Sequence, residues 1–318
     1  MLNLSLLLLG MTALVSCNGE AETRSKTAFT KDASAVIEKD TVKTEKEEKE
    51  PRKLVTYHLD SLGTKAAVDS FKTRYDKEQQ SIIYALNRMD PRRLNAGDKI
   101  VIPDSVTAEL LAYAPFPEEL DLLDSIPKAV LISRRIQAVA LYQNGELIKW
   151  GPASTGKEST QTPAGLFYGN YKAKRKISTI DKDWIMPYYF NFMNYEGIGT
   201  HEYTLPGYPA SHGCVRLRNE EAVYIYNWAT QWQLNSGGQV VLQNGTPFMV
   251  LGDYDFDHPS PWLDQADDPK ANFFTSEEKQ TISDYVKRYQ NNAKNFEQNK
   301  TPEGELNLPP KTRLQTIN

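Results

Sequence analysis

The sequence is poor in cysteine and histidine. Its 318 residues contain two cysteines, Cys17 and Cys214, and four histidines. One disulfide is the most that two thiols allow, so a disulfide-stapled scaffold is excluded. Net charge is also nearly absent: 37 Lys and Arg stand against 41 Asp and Glu, giving −4. That balance gives no reason to expect nucleic-acid binding. Long apolar runs are lacking as well. The run from Leu4 to Val15 is too short to span a bilayer comfortably. A mean hydropathy of −0.56 points to extended polar segments, yet 40% hydrophobic and 10% aromatic residues suffice for a real core. The length has room for one or two domains plus tails.

The polar segments are found by reading from the start. Residues 1–17 have the character of an export signal and end Leu14-Val15-Ser16-Cys17. This ending resembles the lipobox of bacterial lipoproteins, which implies lipidation of Cys17, attachment to a membrane and a place in the cell envelope or periplasm. Met1-Leu2-Asn3 carries no basic residue, so a plain signal peptide cleaved nearby stays open as the alternative. Residues 18–52, rich in Lys, Glu, Thr and Ser, cannot bury enough surface to offset their ordering entropy and are read as a disordered tether.

Residues 53–104 are expected to form a small α+β unit. Leu54 to His58 reads as a strand, Lys65 to Tyr75 and Glu78 to Asn87 show helical apolar spacing, and a turn at Gly97-Asp98 leads to a strand at Ile100 to Ile102. This β-α-α-β order, with Asn87, Leu94, Gly97 and Asp98, is similar to a LysM domain, which implies binding to glycan strands containing N-acetylglucosamine. As a module it is expected to be separable, raising local wall concentration without entering the chemistry. Residues 105–127, with Pro115, Pro117 and Pro127, read as a linker.

From Lys128 the pattern becomes strand-like. Val130 to Ile132 and Ile136 to Tyr142 precede Asn144-Gly145, a strong hairpin signal, and strands punctuated by Gly and Pro continue to Tyr171. A mainly β sandwich or barrel is expected for residues 128–250, with a helix capped by Asn219 and a closing strand at Gln239 to Leu242. Residues 251–318 form a C-terminal extension, with one amphipathic helix from Ser276 to Gln298 entered by a cap at Ser276 to Lys279.

The stretch that carries chemistry is His201 to Asn219. It places two histidines and a glycine beside a cysteine in Ser211-His212-Gly213-Cys214-Val215-Arg216-Leu217-Arg218-Asn219. A thiol attacks an acyl carbon as thiolate, and an isolated cysteine with a pKa of about 8.5 is mostly thiol at neutral pH. A nearby imidazole can take the proton, Gly213 lets a carbonyl approach, and backbone N–H groups around Gly213 and Cys214 suit an oxyanion. A buried structural cysteine beside two chance histidines is the plainer alternative, and two histidines with a cysteine also suit zinc. Alternation of Asp253, Asp255 and Asp257 suggests a calcium loop, but the spacing of an EF-hand is missing.

The stretch resembles the signature of the L,D-transpeptidase catalytic domain of the YkuD type. Ser154-Thr155-Gly156, Thr162-Pro163-Ala164-Gly165 and Trp184-Ile185-Met186-Pro187-Tyr188 precede it in the family's order. The resemblance spans roughly 128–243 and departs in one respect: Glu202 stands where a glycine usually follows the first histidine. It implies an all-β catalytic fold needing no metal or cofactor. Cys214 would be the nucleophile, His201 the base and His212 a supporting group. Peptidoglycan stem peptides would be the substrate. Arg216 is the expected contact for a substrate carboxylate, with a structural ion pair as the alternative, and Ser211 is expected to hydrogen-bond within the loop. Trp184 and Tyr188 belong to an aromatic segment, 172–199, expected to help cover the substrate groove, although ordinary core strands explain any one of those rings. Thr162-Pro163 and Gly165 read as turn residues. A non-catalytic wall-binding lipoprotein is the rival from another class, and oligomeric state is left open.

Overall fold

The computed structural model describes residues 52–106, 109–178 and 181–296. The expected signal, Cys17 and nearly all of the tether lie outside the described residues, as does the end of the chain.

The N-terminal unit has the expected element order. Strand β1 (Tyr57–Ser61), helices α1 (Lys65–Arg74) and α2 (Lys77–Leu86), and strand β2 (Lys99–Pro103) follow one another, with β1 antiparallel to β2. The first strand begins at Tyr57, three residues later than its apolar start suggests. Local chemistry sets the helix starts: Thr64 accepts from Ala67 N, and Asp76 and Gln79 form a capping box.

This unit shares a core with the rest of the chain, although a detachable module was expected. Along β2, Ile100 and Ile102 face the unit's own core, while Val101 faces the core it shares with the rest of the chain. Helix α2 is divided in the same way, with Ile83 and Tyr84 turned inward and Ile82 and Leu86 turned to the shared side. Arg88 locks the join. Fully buried, it donates to the carbonyls of Ile136 (2.9 Å), Ala85 (3.0 Å) and Leu86 (2.7 Å). Its guanidinium lies 5.4 Å from the ring centres of both Trp150 and Trp262.

Residues 110–126, read from their prolines as a linker, are packed rather than free. Tyr113, Phe116, Leu120, Leu123 and Ile126 are buried against the main sheet. Proline ended the regular structure here, but the apolar residues between the prolines had a sheet face to cover.

That sheet has nine strands among the described residues: β3 (Ala129–Ser133), β4 (Ala138–Gln143), β5 (Glu146–Ser154), β6 (Gly165–Tyr168), β7 (Lys172–Ile177), β8 (Ile185–Met193), β9 (Ile198–Glu202), β10 (Val215–Leu217) and β13 (Pro247–Leu251). Their order is β6-β13-β3-β4-β5-β10-β9-β8-β7. The hairpin between β4 and β5 turns at Asn144 (φ 48°) and Gly145 (φ 79°), the two positive values this tight turn requires. A side chain at Gly145 would also meet the Asp124 carboxylate, which adds to the preference of this positive φ for glycine. Period-two alternation sends Ala129 and Leu131 to one core and Val130 and Ile132 to the other. Both faces are covered, which explains the unbroken apolar runs of these strands.

The helix after Cys214, α3 (Asn219–Trp228), is preceded by Arg218 at its N-cap, not by Asn219. Arg218 bonds Glu221 at 2.7 and 2.9 Å, and Asn219 turns its amide to Glu202 Oε2 at 2.7 Å. The closing strand expected at 239–242 is also corrected. Strands β11 (Gln233–Leu234) and β12 (Val241–Gln243) form a small separate ribbon, and β13 enters the main sheet parallel to β3. Val240, Val241 and Leu242 are apolar but only partly buried in that ribbon, whereas the side chains of Pro247–Leu251 are all buried.

In the extension, α4 (Ser276–Gln290) starts from a capping box made by Thr275 and Glu278, one residue before the expected cap. Ile282, Tyr285, Val286 and Tyr289 cover the sheet face beside Trp262, so this extension completes the core.

Candidate active site

Pairing of two strands assembles the site. Strands β9 and β10 run parallel, with Val215 opposite Thr200, Arg216 opposite His201 and Leu217 opposite Glu202. Val215 and Leu217 point into the core, so the alternate residues Cys214 and Arg216 face the other way, as does His201. The three line one cavity of about 50 Å³ together with Trp184, Met186, Tyr203, Ser211 and His212.

His201 is buried and oriented by its own strand end. A carbonyl can only accept, so the 2.9 Å contact with Glu202 O fixes the proton on Nδ1 and leaves the Nε2 lone pair for another group. Burial depresses its pKa to about 4, an effect opposed by the Glu202 carbonyl and reinforced by Arg216. Burial also raises the Cys214 thiol, although a backbone hydrogen bond from Gly199 and the charges of Arg216 and Lys176 pull it back. The resting pair is therefore neutral imidazole and neutral thiol.

His212 has a different environment. It is exposed, its ring lies 5.2 Å from that of Trp184, and its Nε2 is 3.4 Å from Lys157 Nζ.

A set of bonds from the upstream motifs holds the loop that carries Cys214. Thr155 O accepts from the backbone N–H groups of Ala210 and Ser211, both at 3.0 Å. Ser211 O accepts from Lys157 N (3.0 Å) and Thr160 Oγ1 (3.1 Å), and its hydroxyl donates to Cys214 O. Gly213 N–H donates to Ser211 Oγ at 3.0 Å, so it is occupied here instead of facing an oxyanion, and the neighbouring Cys214 N–H is the donor this bond leaves. Gly213 has φ 112°, and a side chain there would press on Ile198.

Thr162 is more than a turn residue. Fully buried, it accepts from Gly156 N (2.9 Å) and donates to Gly213 O (2.7 Å), joining two motifs 51 residues apart. Its replacement by valine keeps the shape but strands both backbone groups. Thr162→Val is expected to cost about 1–3 kcal/mol in chemical denaturation. An unchanged midpoint would show that the brace carries no load.

These motifs lie inside the span where a known domain model matches, the L,D-transpeptidase catalytic domain (YkuD), over residues 127–250. Residues 127–250 are an L,D-transpeptidase catalytic domain. The chain is similar to the YkuD proteins of Bacillus licheniformis and Bacillus subtilis, both of which carry an L,D-transpeptidase name. It is 22% identical to the first over 158 residues, covering 50% of this chain and 85% of the relative. For the second the values are 27% over 132 residues, 42% and 70%. It also resembles an L,D-transpeptidase structure from Mycobacterium smegmatis, at 21% identity and a TM-score of 0.30. That match covers 39% of this chain and 59% of the mycobacterial one, so the chain spans about three fifths of it.

Within the transpeptidase domain the remaining site residues divide. Trp184 reaches the cavity, on a turn pinned by Ser178 N to Trp184 O at 2.9 Å. Tyr188, expected as a substrate contact, does not: with φ 50° its ring packs edge-on to Tyr226, 5.7 Å away, on the core side. A nearly strained backbone value inside a strand is a tertiary result with no local signal. Arg216 stacks 4.7 Å over the Tyr203 ring and makes no ion pair among the described residues, which leaves its charge toward the cavity. Lys172 and Lys176 are engaged structurally, the first with Ala229 O at 2.6 Å and the second over the rings of Tyr171 and Tyr189. Met186 and Tyr203 line the cavity and were not singled out in the sequence. Period-two spacing from Trp184 marks Met186, and the same spacing from His201 marks Tyr203.

Proposed function

We propose that the protein is a cell-wall L,D-transpeptidase acting by a cysteine thioester. The observation that carries this reading is a thiol sharing a small cavity with a buried imidazole whose Nδ1 is committed to Glu202 O and whose Nε2 is not. Cys214 attacks the carbonyl of the L-centre in a tetrapeptide stem while Nε2 of His201 takes the thiol proton. The C–N bond then breaks, the imidazolium protonates the leaving amine, and D-alanine departs, leaving the acyl group on sulfur. An amine from a second stem takes that group and forms the cross-link. With water instead, the product is the trimmed stem of an L,D-carboxypeptidase; with a cross-link as donor, the same site is an endopeptidase.

Arg216, held over Tyr203 with its fork toward the cavity, suits the carboxylate of the donor stem. Trp184 and Met186 wall the cavity against water, which favours survival of the thioester. The LysM-like order of residues 57–103 supports glycan contact, and the Leu-Val-Ser-Cys ending supports an exported protein lipid-anchored through Cys17.

Intact-mass spectrometry after incubation with a soluble tetrapeptide stem or a carbapenem tests the chemistry. One acyl adduct on Cys214, absent in Cys214→Ala, is expected. No adduct on the folded protein would leave the wall-binding scaffold as the better reading.

A further inference from the structure

The catalytic motifs lie within residues 127–250, but one tie on the segment between His201 and Cys214 comes from outside that span. The segment leaves β9 at Glu202 and enters β10 at Val215. Near its start, Tyr203 N donates to Leu217 O at 3.0 Å. Further on, Ser154 Oγ donates to Tyr208 O (2.7 Å), and Thr155 O accepts from Ala210 and Ser211. Between those anchors sits Leu205, fully buried, with its backbone held by Asp90 of the N-terminal unit. Asp90 N donates to Leu205 O (2.9 Å), and Leu205 N donates to Asp90 Oδ2 (3.0 Å).

Local sequence prepares Asp90 for this contact. It precedes Pro91, which disfavours helical backbone, and its φ of −82° and ψ of 154° are extended. Met89 pairs with Pro206 in an antiparallel bridge, so two consecutive residues of the N-terminal unit form a short edge against the loop. The Asp90 carboxylate is half-buried. Burial raises its pKa, an effect opposed by the Leu205 bond and by the charges of Arg92, Arg93 and Arg218.

This tie stands two residues from the site. Tyr203 lines the cavity, its ring meets that of His201 edge-on at 5.9 Å, and Arg216 stacks over it at 4.7 Å. A loop freed at Leu205 lets the Tyr203 ring drift, and the guanidinium resting on that ring loses its fixed direction. Resting on the transpeptidase reading, we infer that Asp90 is a positioning residue: through Leu205 it fixes Tyr203, and through Tyr203 the aim of Arg216 at the stem carboxylate. The N-terminal unit then serves the chemistry by holding a loop, without touching substrate.

Steady-state release of D-alanine from a soluble tetrapeptide stem by the full chain tests this. Asp90→Ala is expected to raise KM about three- to tenfold, the range of a half-buried hydrogen bond to a charged group, with kcat changed less than about twofold. Asp90→Asn keeps an oxygen for Leu205 N and is expected to restore the wild-type KM. A stem ending in D-alaninamide lacks the carboxylate, so wild type and Asp90→Ala are expected to share one kcat/KM for it. A purely structural defect would instead slow both stems equally. If Asp90→Ala fails to fold, Asp90→Glu, which keeps the charge but displaces the oxygen, is read in its place by the same criteria. A KM that is unchanged, raised equally for both stems, or not restored by Asp90→Asn overturns the Asp90 assignment alone. A wild type that neither releases D-alanine nor forms an acyl adduct overturns the transpeptidase reading and this inference with it.

Discussion

Replacing His201 with alanine is expected to slow acylation of Cys214 by about 10²–10⁴-fold, the usual loss of a general base. The thiol is raised by burial, so without Nε2 almost none of it is thiolate near neutral pH. The pH profile is the sharper observable. A buried imidazole with a pKa of about 4 stays neutral, and competent as a base, well below the ordinary histidine range. The acidic limb of wild-type acylation is therefore expected near pH 4, with a broad plateau above it. In His212→Ala the rate is expected to fall without movement of that limb, because an exposed ring beside Trp184 and Lys157 positions the loop. A limb that survives in His201→Ala and vanishes in His212→Ala would reverse the two roles. The same shift makes stability depend on pH. Between the ordinary value of 6.5 and about 4 the unfolded imidazole binds a proton that the folded one does not. Stability from this group is complete above that window and is lost as pH falls through it.

The other large effect concerns the join between the units. Arg88→Ala is expected to destabilise the protein by about 3–5 kcal/mol, because it empties a space between two tryptophans and leaves buried carbonyls unpaired. Arg88→Lys is expected to recover only part, since an ammonium lacks the planar fork that reaches three carbonyls. Urea denaturation of both variants measures this, and a single cooperative transition involving both units is expected in the wild type. If a chain starting at residue 105 unfolds with wild-type cooperativity and midpoint, the two units are independent and the shared core is not essential.

Local chemistry made much of this protein legible from residues alone. Asn144-Gly145 dictated its hairpin because few dipeptides tolerate two positive φ values in succession. Asp76 with Gln79 set the start of α2 for an equally local reason. The Ser-His-Gly-Cys run, with His201 upstream, put a thiol near two imidazoles, and the resemblance to L,D-transpeptidases implied Cys214 as nucleophile and His201 as base. Other features depended on partners distant in sequence. Thr162 looks like any turn threonine until Gly213, 51 residues on, presents its carbonyl. Arg88 looks like a solvated charge until Ile136, Trp150 and Trp262 enclose it. Tyr188 belongs to an aromatic run that the family resemblance assigned to the groove, but the backbone at φ 50° turns its ring to Tyr226. A turn or a cap is decided by a few neighbouring dihedrals and one hydrogen bond. The side a buried group faces is decided by which strands pair, and only the folded chain brings those strands together.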